Sequence, residues 1–247
     1  MLRPSTADRP QIEQGRSAPP LRYLSVRFGC HLAARDLGAF RGALVNHVGR
    51  DFDRLHNHGP GHDNYLYRYP LIQYRVAGGQ AALFCIGQGA EDIRAVLDGP
   101  LPELWINGRR VVLRVEDVNI DYYAPKVGTT MLHYELRDYL PLSQDNERTW
   151  ARMDDYARGD FLRRLLTGHM LAYARGVDWE VREQLRIELK AVRVLRPIRY
   201  KGIARPAFDV RFRSNAELPA GIGLGKAVAM GFGVLYTRRP DKREDRR

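Results

Sequence analysis

The chain has 247 residues, with 40 Lys and Arg against 29 Asp and Glu, a formal net charge of +11, and an apolar share of 44%. That length suits one large or two small domains, and the apolar share supports a core. No run of eighteen apolar residues occurs, so a helical membrane span is excluded and no membrane partner is expected.

Residues 1–20 hold Pro4, Pro10, Pro19 and Pro20 and lack an apolar h-region, so they read as a flexible leader and not a signal peptide. The leader contributes +1 and the basic tail 238–247 contributes +3, which leaves +7 on the folded part. An excess of that size favours a nucleic acid or another polyanion as partner, although an Arg-rich composition alone also produces it. Cys30 and Cys85 both fall in apolar, strand-like runs and read as buried reduced thiols in a cytoplasmic protein.

In chain order, Leu21 to His31 reads as a strand, with Leu24, Val26 and Phe28 on one face. Asp36 is placed to cap a helix reaching Val48, whose buried stripe is Leu37, Phe40, Leu44 and Val48. A polar loop from Arg50 to Asn64 holds His56, His58 and His62. Tyr65 to Val76 reads as a strand interrupted by Pro70, hence an edge or a bulge. Ala81 to Ile86 is a buried strand and Ala90 to Leu97 a short helix. Leu104–Ile106 and Val111–Val115 are strands around the Asn107-Gly108 turn. The order strand, helix, strand, strand, helix, strand is ferredoxin-like.

A second copy of this order follows. Met131 to Leu136 is a strand, Thr149 to Arg175 is mostly helix with breaks at Gly159 and Gly168, and Leu185–Leu195 and Ile198–Phe212 are strands turned at Pro197. A glycine-rich stretch replaces the second helix, and Phe232 to Tyr236 closes the unit. The expected fold class is therefore α+β, tandem ferredoxin-like. The expected domains are 21–125 and 126–237, between the leader 1–20 and the tail 238–247.

The glycine-rich stretch carries Gly221, Gly223, Gly225, Gly231 and Gly233 around a single lysine, Lys226. A P-loop fails, because Ala220 stands where its first Gly belongs and Ala227 where its hydroxyl belongs. The dinucleotide fingerprint fails as well: Lys226 or Val228 occupies its last Gly position. A loop of this kind is expected to pack on a sheet and to meet an extended polyanion through Lys226 and bare amides.

The loop histidines admit three readings from the residues alone. They are solvated side chains, zinc ligands spaced as His56-x-His58 with His62, or acid–base groups titrating near pH ~6.5. Tyr65, Tyr67 and Tyr69 share one strand face, suited to packing or to base stacking. Arg68 lies on the opposite face. Arg211 and Arg213 form the charged face opposite Phe208, Val210 and Phe212, either solvated or facing RNA.

Three motifs in sequence carry a family resemblance: His56-Asn57-His58; Tyr67-Arg68-Tyr69-Pro70-Leu71-Ile72-Gln73-Tyr74; and Asn215-x-x-Leu218-Pro219 followed by the glycine-rich run. In that order they resemble the CRISPR repeat-processing endoribonucleases, the Cas6 family of RAMP-type proteins, over most of residues 21–237. The resemblance implies a metal-independent endoribonuclease in which the substrate's own 2′-hydroxyl attacks and leaves a 2′,3′-cyclic phosphate. It places catalysis on His56 and His58 and implies neither cofactor nor metal. Lys226, the five glycines, Arg68, Arg211 and Arg213 are the expected RNA-binding residues. The implied partner is CRISPR repeat RNA, with further effector subunits and a homodimer left open. The alternative is a RAMP-type subunit that holds RNA without cutting it.

Overall fold

The computed structural model describes residues 20–48, 53–56, 68–99, 101, 103–200 and 202–239. Strand β1 (Leu21–His31) runs through a 3-10 turn (Ala34–Asp36) into helix α1 (Leu37–Val48) and the single-turn α2 (Asp53–His56). Then come β2 (Ile72–Ala77), β3 (Gln80–Ile86), α3 (Gln88–Leu97), the hairpin β4 (Glu103–Ile106) and β5 (Arg109–Val112), and β6 (Val115–Tyr123). The main sheet is antiparallel in the order β2-β3-β1-β6, with the closing strand beside the first, as a ferredoxin-like unit requires.

The second half repeats the plan. It contains β7 (Lys126–Tyr139), α4 (Gln144–Ala151), α5 (Asp155–Gly176), β8 (Ile187–Val194), the small hairpin β9 (Ile198–Tyr200) and β10 (Ile203–Arg205), β11 (Phe208–Glu217) and β12 (Val234–Arg238). Its sheet order, β12-β7-β11-β8, is the same fourth-first-third-second arrangement. The glycine-rich segment stands where the second helix would be. The protein is thus a tandem ferredoxin-like α+β fold, as its sequence order predicts.

Three local expectations differ. The closing strand of the first half is β6, while the Asn107-Gly108 hairpin forms a separate two-stranded sheet. Strand β6 lies at the sheet edge and is exposed along almost its whole length, so it lacks the buried alternation that marks a core strand. The helical stretch breaks after Arg152 and not at Gly159 or Gly168, because the Asp154 carboxylate accepts from Ala157 N (2.8 Å) and starts α5 afresh. Asp36 does not cap α1; its carboxylate accepts from Asn107 Nδ2 (2.8 Å) in the hairpin turn.

One core lies between the first sheet and its helices, where Leu24, Val26 and Phe28 meet Phe40, Leu44 and Ile93. Cys30 and Cys85 are free and buried within it. The other core joins the domains. Phe208, Val210 and Phe212 of β11 pack with Leu162, Leu166 and Met170 of α5, and the same cluster takes in Tyr23, Phe84 and Ile86 from the opposite face of the first sheet. The Tyr23 and Tyr173 hydroxyls hydrogen-bond across this junction at 2.6 Å. Because the two halves share buried apolar area, their relative placement is part of the fold. Among the described residues, no helix is long and apolar enough to cross a membrane.

Gly233 shows how tightly the second half closes. Its φ is +65°, and a Cβ there would lie 1.9 Å from the carbonyl oxygen of Leu224. Gly233→Ala is therefore expected to lower unfolding free energy by about 3 kcal/mol, since strain and a backbone clash act together. Chemical denaturation of the full chain against wild type measures it.

Candidate functional site

The glycine-rich segment docks on the first domain. Tyr69 donates its hydroxyl hydrogen to the Gly223 carbonyl (2.8 Å) and accepts from Gln73 Nε2 (2.9 Å). Arg75 donates to Gln73 Oε1 (2.6 Å) and to the Gly221 carbonyl, while its guanidinium lies 4.6 Å from the centre of the Phe84 ring. Burial draws the Arg75 pKa down to about 10. Ile222 and Leu224 are fully buried between these contacts. Gly221 is required here, because at φ +90° a Cβ would sit 2.8 Å from the Phe84 ring.

The other predicted glycines occupy the same joint. Gly223 lies against Gln73 and Val228, Gly225 against Tyr139, and Gly231 against the carbonyl of Tyr74. The amides of Gly221, Lys226, Gly231 and Gly233 donate to Leu235, Leu140, Val228 and Asp138 carbonyls respectively. Those four amides are engaged inside the fold, so the expectation of bare amides facing a phosphate does not hold for them. What the segment presents outward is Lys226, which is exposed between the buried Leu224 and Val228.

Two neighbours of Lys226 were not singled out by sequence reasoning. The His169 Nδ1 and the Tyr139 hydroxyl are hydrogen-bonded at 2.7 Å, their rings edge to face. Burial, with a smaller effect of the Lys226 charge, draws the His169 pKa from 6.5 down to about 4. His169 continues the stripe of Leu162, Leu166 and Tyr173 on α5, so its spacing reads as core; only its polarity on that stripe signals a buried hydrogen bond.

Of the predicted catalytic pair, His56 is the last residue of α2, and its side chain, like all of His58, lies outside the described residues. So do His62, Tyr65 and Tyr67. The flanks of this loop are nonetheless fixed. Leu55 is buried and its carbonyl accepts from the Tyr74 hydroxyl (3.2 Å); Arg54 pairs with Asp92 of α3 (3.0 Å). On the far side, Arg68 is exposed and directly precedes Tyr69, which holds Gly223. The segment bearing β2 thus ties both ends of the histidine loop to the glycine-rich joint.

Arg211 and Arg213 lie on the open face of the second sheet. Arg213 faces His133 on β7 in the strand register and approaches Glu188 at 3.9 Å. Arg211 lines a small cavity with His133, Lys190, Arg238 and Arg239, so it belongs to a basic strip. Asn215, part of the sequence motif, is buried. It accepts from Arg186 N (2.7 Å) and donates to the Gln184 carbonyl (3.0 Å), holding the end of β11.

These features define a tandem ferredoxin-like protein whose closing loop is locked onto the first domain and carries a lysine outward. Comparison with known proteins gives the family. The family model of the Cas6b N-terminal domain matches residues 20–123, and that of the Cas6b C-terminal domain matches residues 126–238. The chain belongs to the Cas6 family. A crystal structure of Cas6b, 23% identical, superposes with a TM-score of 0.78 over 89% of this chain and 100% of that one. A crystal structure of the CRISPR RNA processing endoribonuclease Cas6b, 20% identical, gives 0.68 over the same shares. The uncharacterized protein MJ0978 of Methanocaldococcus jannaschii is 26% identical over 110 residues, 44% of this chain and 74% of that protein.

His169 makes acid stability measurable at this site. Folding holds its imidazole neutral, so the unfolded chain binds the proton more readily. Stability is therefore expected to fall as pH drops from about 6.5 towards about 4. His169→Gln should flatten that part of the curve, as read by denaturant midpoints across the window.

Proposed function

We propose that this protein is a metal-independent endoribonuclease that cuts CRISPR precursor RNA within the repeat. The observation that carries the reading is the match of both Cas6b domain models, in order, to residues 20–123 and 126–238. The attachment of the histidine loop and the glycine-rich joint to one stretch of chain supports it, through Tyr74–Leu55 on one side and Tyr69–Gly223 on the other.

The chemistry follows from the substrate. RNA supplies its own nucleophile, the 2′-hydroxyl. In this reading His56 and His58 act as general base and general acid, one removing the 2′-proton and the other protonating the departing 5′-oxygen. A new bond forms from the 2′-oxygen to phosphorus as the bond to the 5′-oxygen breaks, leaving a 2′,3′-cyclic phosphate and a 5′-hydroxyl. Lys226 supplies positive charge to the phosphate backbone, and Arg68 does so near the other end of the loop. Arg211 and Arg213 hold flanking phosphates on the open sheet.

Incubation with cognate repeat RNA in EDTA tests this. One cut per repeat is expected, with a cyclic-phosphate terminus on the upstream fragment. His56→Ala and His58→Ala should each slow cleavage at least ~100-fold with repeat affinity kept. Lys226→Ala should weaken binding and reduce the slope of log affinity against log salt by about 0.7. Wild type that binds the repeat and never cuts it would make the protein a non-catalytic RNA-holding subunit. Cleavage past a 2′-deoxy nucleotide at the scissile position would rule out internal attack.

A further inference from the structure

A second feature of the molecule lies apart from the histidine loop. A cleft of about 520 Å3 opens between the two domains, on the face of the first sheet turned away from α1 and α3. That volume falls within the ~300–1,000 Å3 typical of small-ligand sites. Its floor is aromatic, formed by Tyr23, Phe84 and Tyr134, each buried in the shared core.

One wall is β6. In the strand register Asn119 stands opposite Ser25 and Asp121 opposite Tyr23, so both β6 side chains project over that floor. Asn119 Nδ2 donates to Asp121 Oδ2 (2.9 Å), which fixes the carboxylate. The other acid of the cleft, Glu217, is paired with Lys126 at 3.3 Å. Among the described residues Asp121 forms no ion pair and accepts only from Asn119.

The mouth has the opposite character. His133 and Arg238 line it, and both also line the smaller cavity that adds Lys190, Arg211 and Arg239. A floor of aromatic rings, a wall carrying the Asp121 carboxylate and a rim holding Arg238, itself 3.7 Å from Glu135, together describe a ligand: a planar ring with N–H donors on its edge, attached to an anion. A nucleotide of a single strand has that form, its base on the tyrosines and its phosphates on the basic strip.

We propose that this cleft reads one unstacked base of the bound RNA, and that Asp121 selects a base offering adjacent imino and amino donors, guanine first and uracil last. Guanine presents N1–H and N2–H side by side and satisfies both oxygens of a carboxylate. Adenine and cytosine offer one amino group each. Uracil flanks its single N–H with two carbonyl oxygens, which a carboxylate repels. This inference rests on reading the protein as an RNA-processing enzyme, yet it concerns binding and not the cut.

The test is equilibrium binding of the full chain to three labelled single-stranded oligoribonucleotides, with strand integrity checked on a gel. One is all uridine, one carries guanosine at every third position, and one carries inosine there, which keeps N1–H and lacks the amino group. The guanosine strand is expected to bind about tenfold tighter than the uridine strand, with inosine between them. Asp121→Asn should bring that ratio close to one. Arg238→Ala should weaken all three strands by a similar factor, because it removes phosphate binding and not base reading. Equal affinities of wild type for the three strands, or an unchanged ratio in Asp121→Asn, would overturn the assignment. Repeat cleavage without base preference would remove this inference alone. Base preference without cleavage would keep it and remove the proposed chemistry.

Discussion

The docking of the glycine-rich segment on β2 is the contact on which the rest of the architecture depends. Two carbonyls of that segment, Gly221 and Gly223, are held by Arg75 and Tyr69, and Gln73 bridges the two donors. Close approach of the backbone is possible because no Cβ intervenes at Gly221, where Phe84 fills the space. Arg75 is half-buried with no carboxylate partner among the described residues, so its charge is balanced by the Gly221 carbonyl, Gln73 and the face of Phe84. A guanidinium partly withdrawn from water in this way is costly to desolvate. Part of that cost is offset only while the loop stays seated: displacing it would take the Gly221 carbonyl from Arg75 and the Gly223 carbonyl from Tyr69 together, leaving both donors their Gln73 contacts alone and Arg75 the Phe84 face.

This joint explains why two sequence motifs far apart in the chain belong together. The Tyr-Arg-Tyr-Pro run and the glycine run read separately as a possible stacking face and a possible phosphate cradle. In the fold they are partners. Tyr69, which reads as a stacking residue in one, donates to the Gly223 carbonyl of the other, while the amides of Gly221, Lys226, Gly231 and Gly233 are taken up by carbonyls of the second domain. Their shared effect is to bring Lys226 to the surface at a fixed place, beside Tyr139 and His169.

Much of the architecture was legible in the sequence because it rests on local periodicity. Phe208, Val210 and Phe212 alternate with charged residues and are buried as that alternation requires; Leu37, Phe40 and Leu44 follow helical spacing and are buried likewise. The element order then gives the tandem fold. What was illegible arises from long-range contacts. Nothing local shows that Gln73 and Arg75 face a loop about 150 positions away, or that His169, spaced as a core residue, pairs with Tyr139. Strand β6 escaped for the converse reason. At a sheet edge both faces are exposed, so its chemistry-bearing side chains, Asn119 and Asp121, carry no burial pattern to mark a strand.

Charge distribution ties these observations to function. Charge is not spread evenly over the molecule: Lys190, Arg211, Arg238 and Arg239 form a row with His133 across the second sheet, from β8 to β12, whereas β6 carries Glu116, Asp117 and Asp121. A polyanion is attracted to the first surface and repelled by the second, so a strand crossing between the domains is oriented by the field before any base is touched. For self-cleaving chemistry such as RNA permits, the nucleophile is already on the substrate. In the proposed cleavage the protein's task is to fix one phosphate relative to an acid and a base, where misplacement by ~1 Å costs about 100-fold in rate. A joint that locks two domains through buried hydrogen bonds meets that requirement better than a hinge would, since it leaves the strand, and not the protein, to move into place.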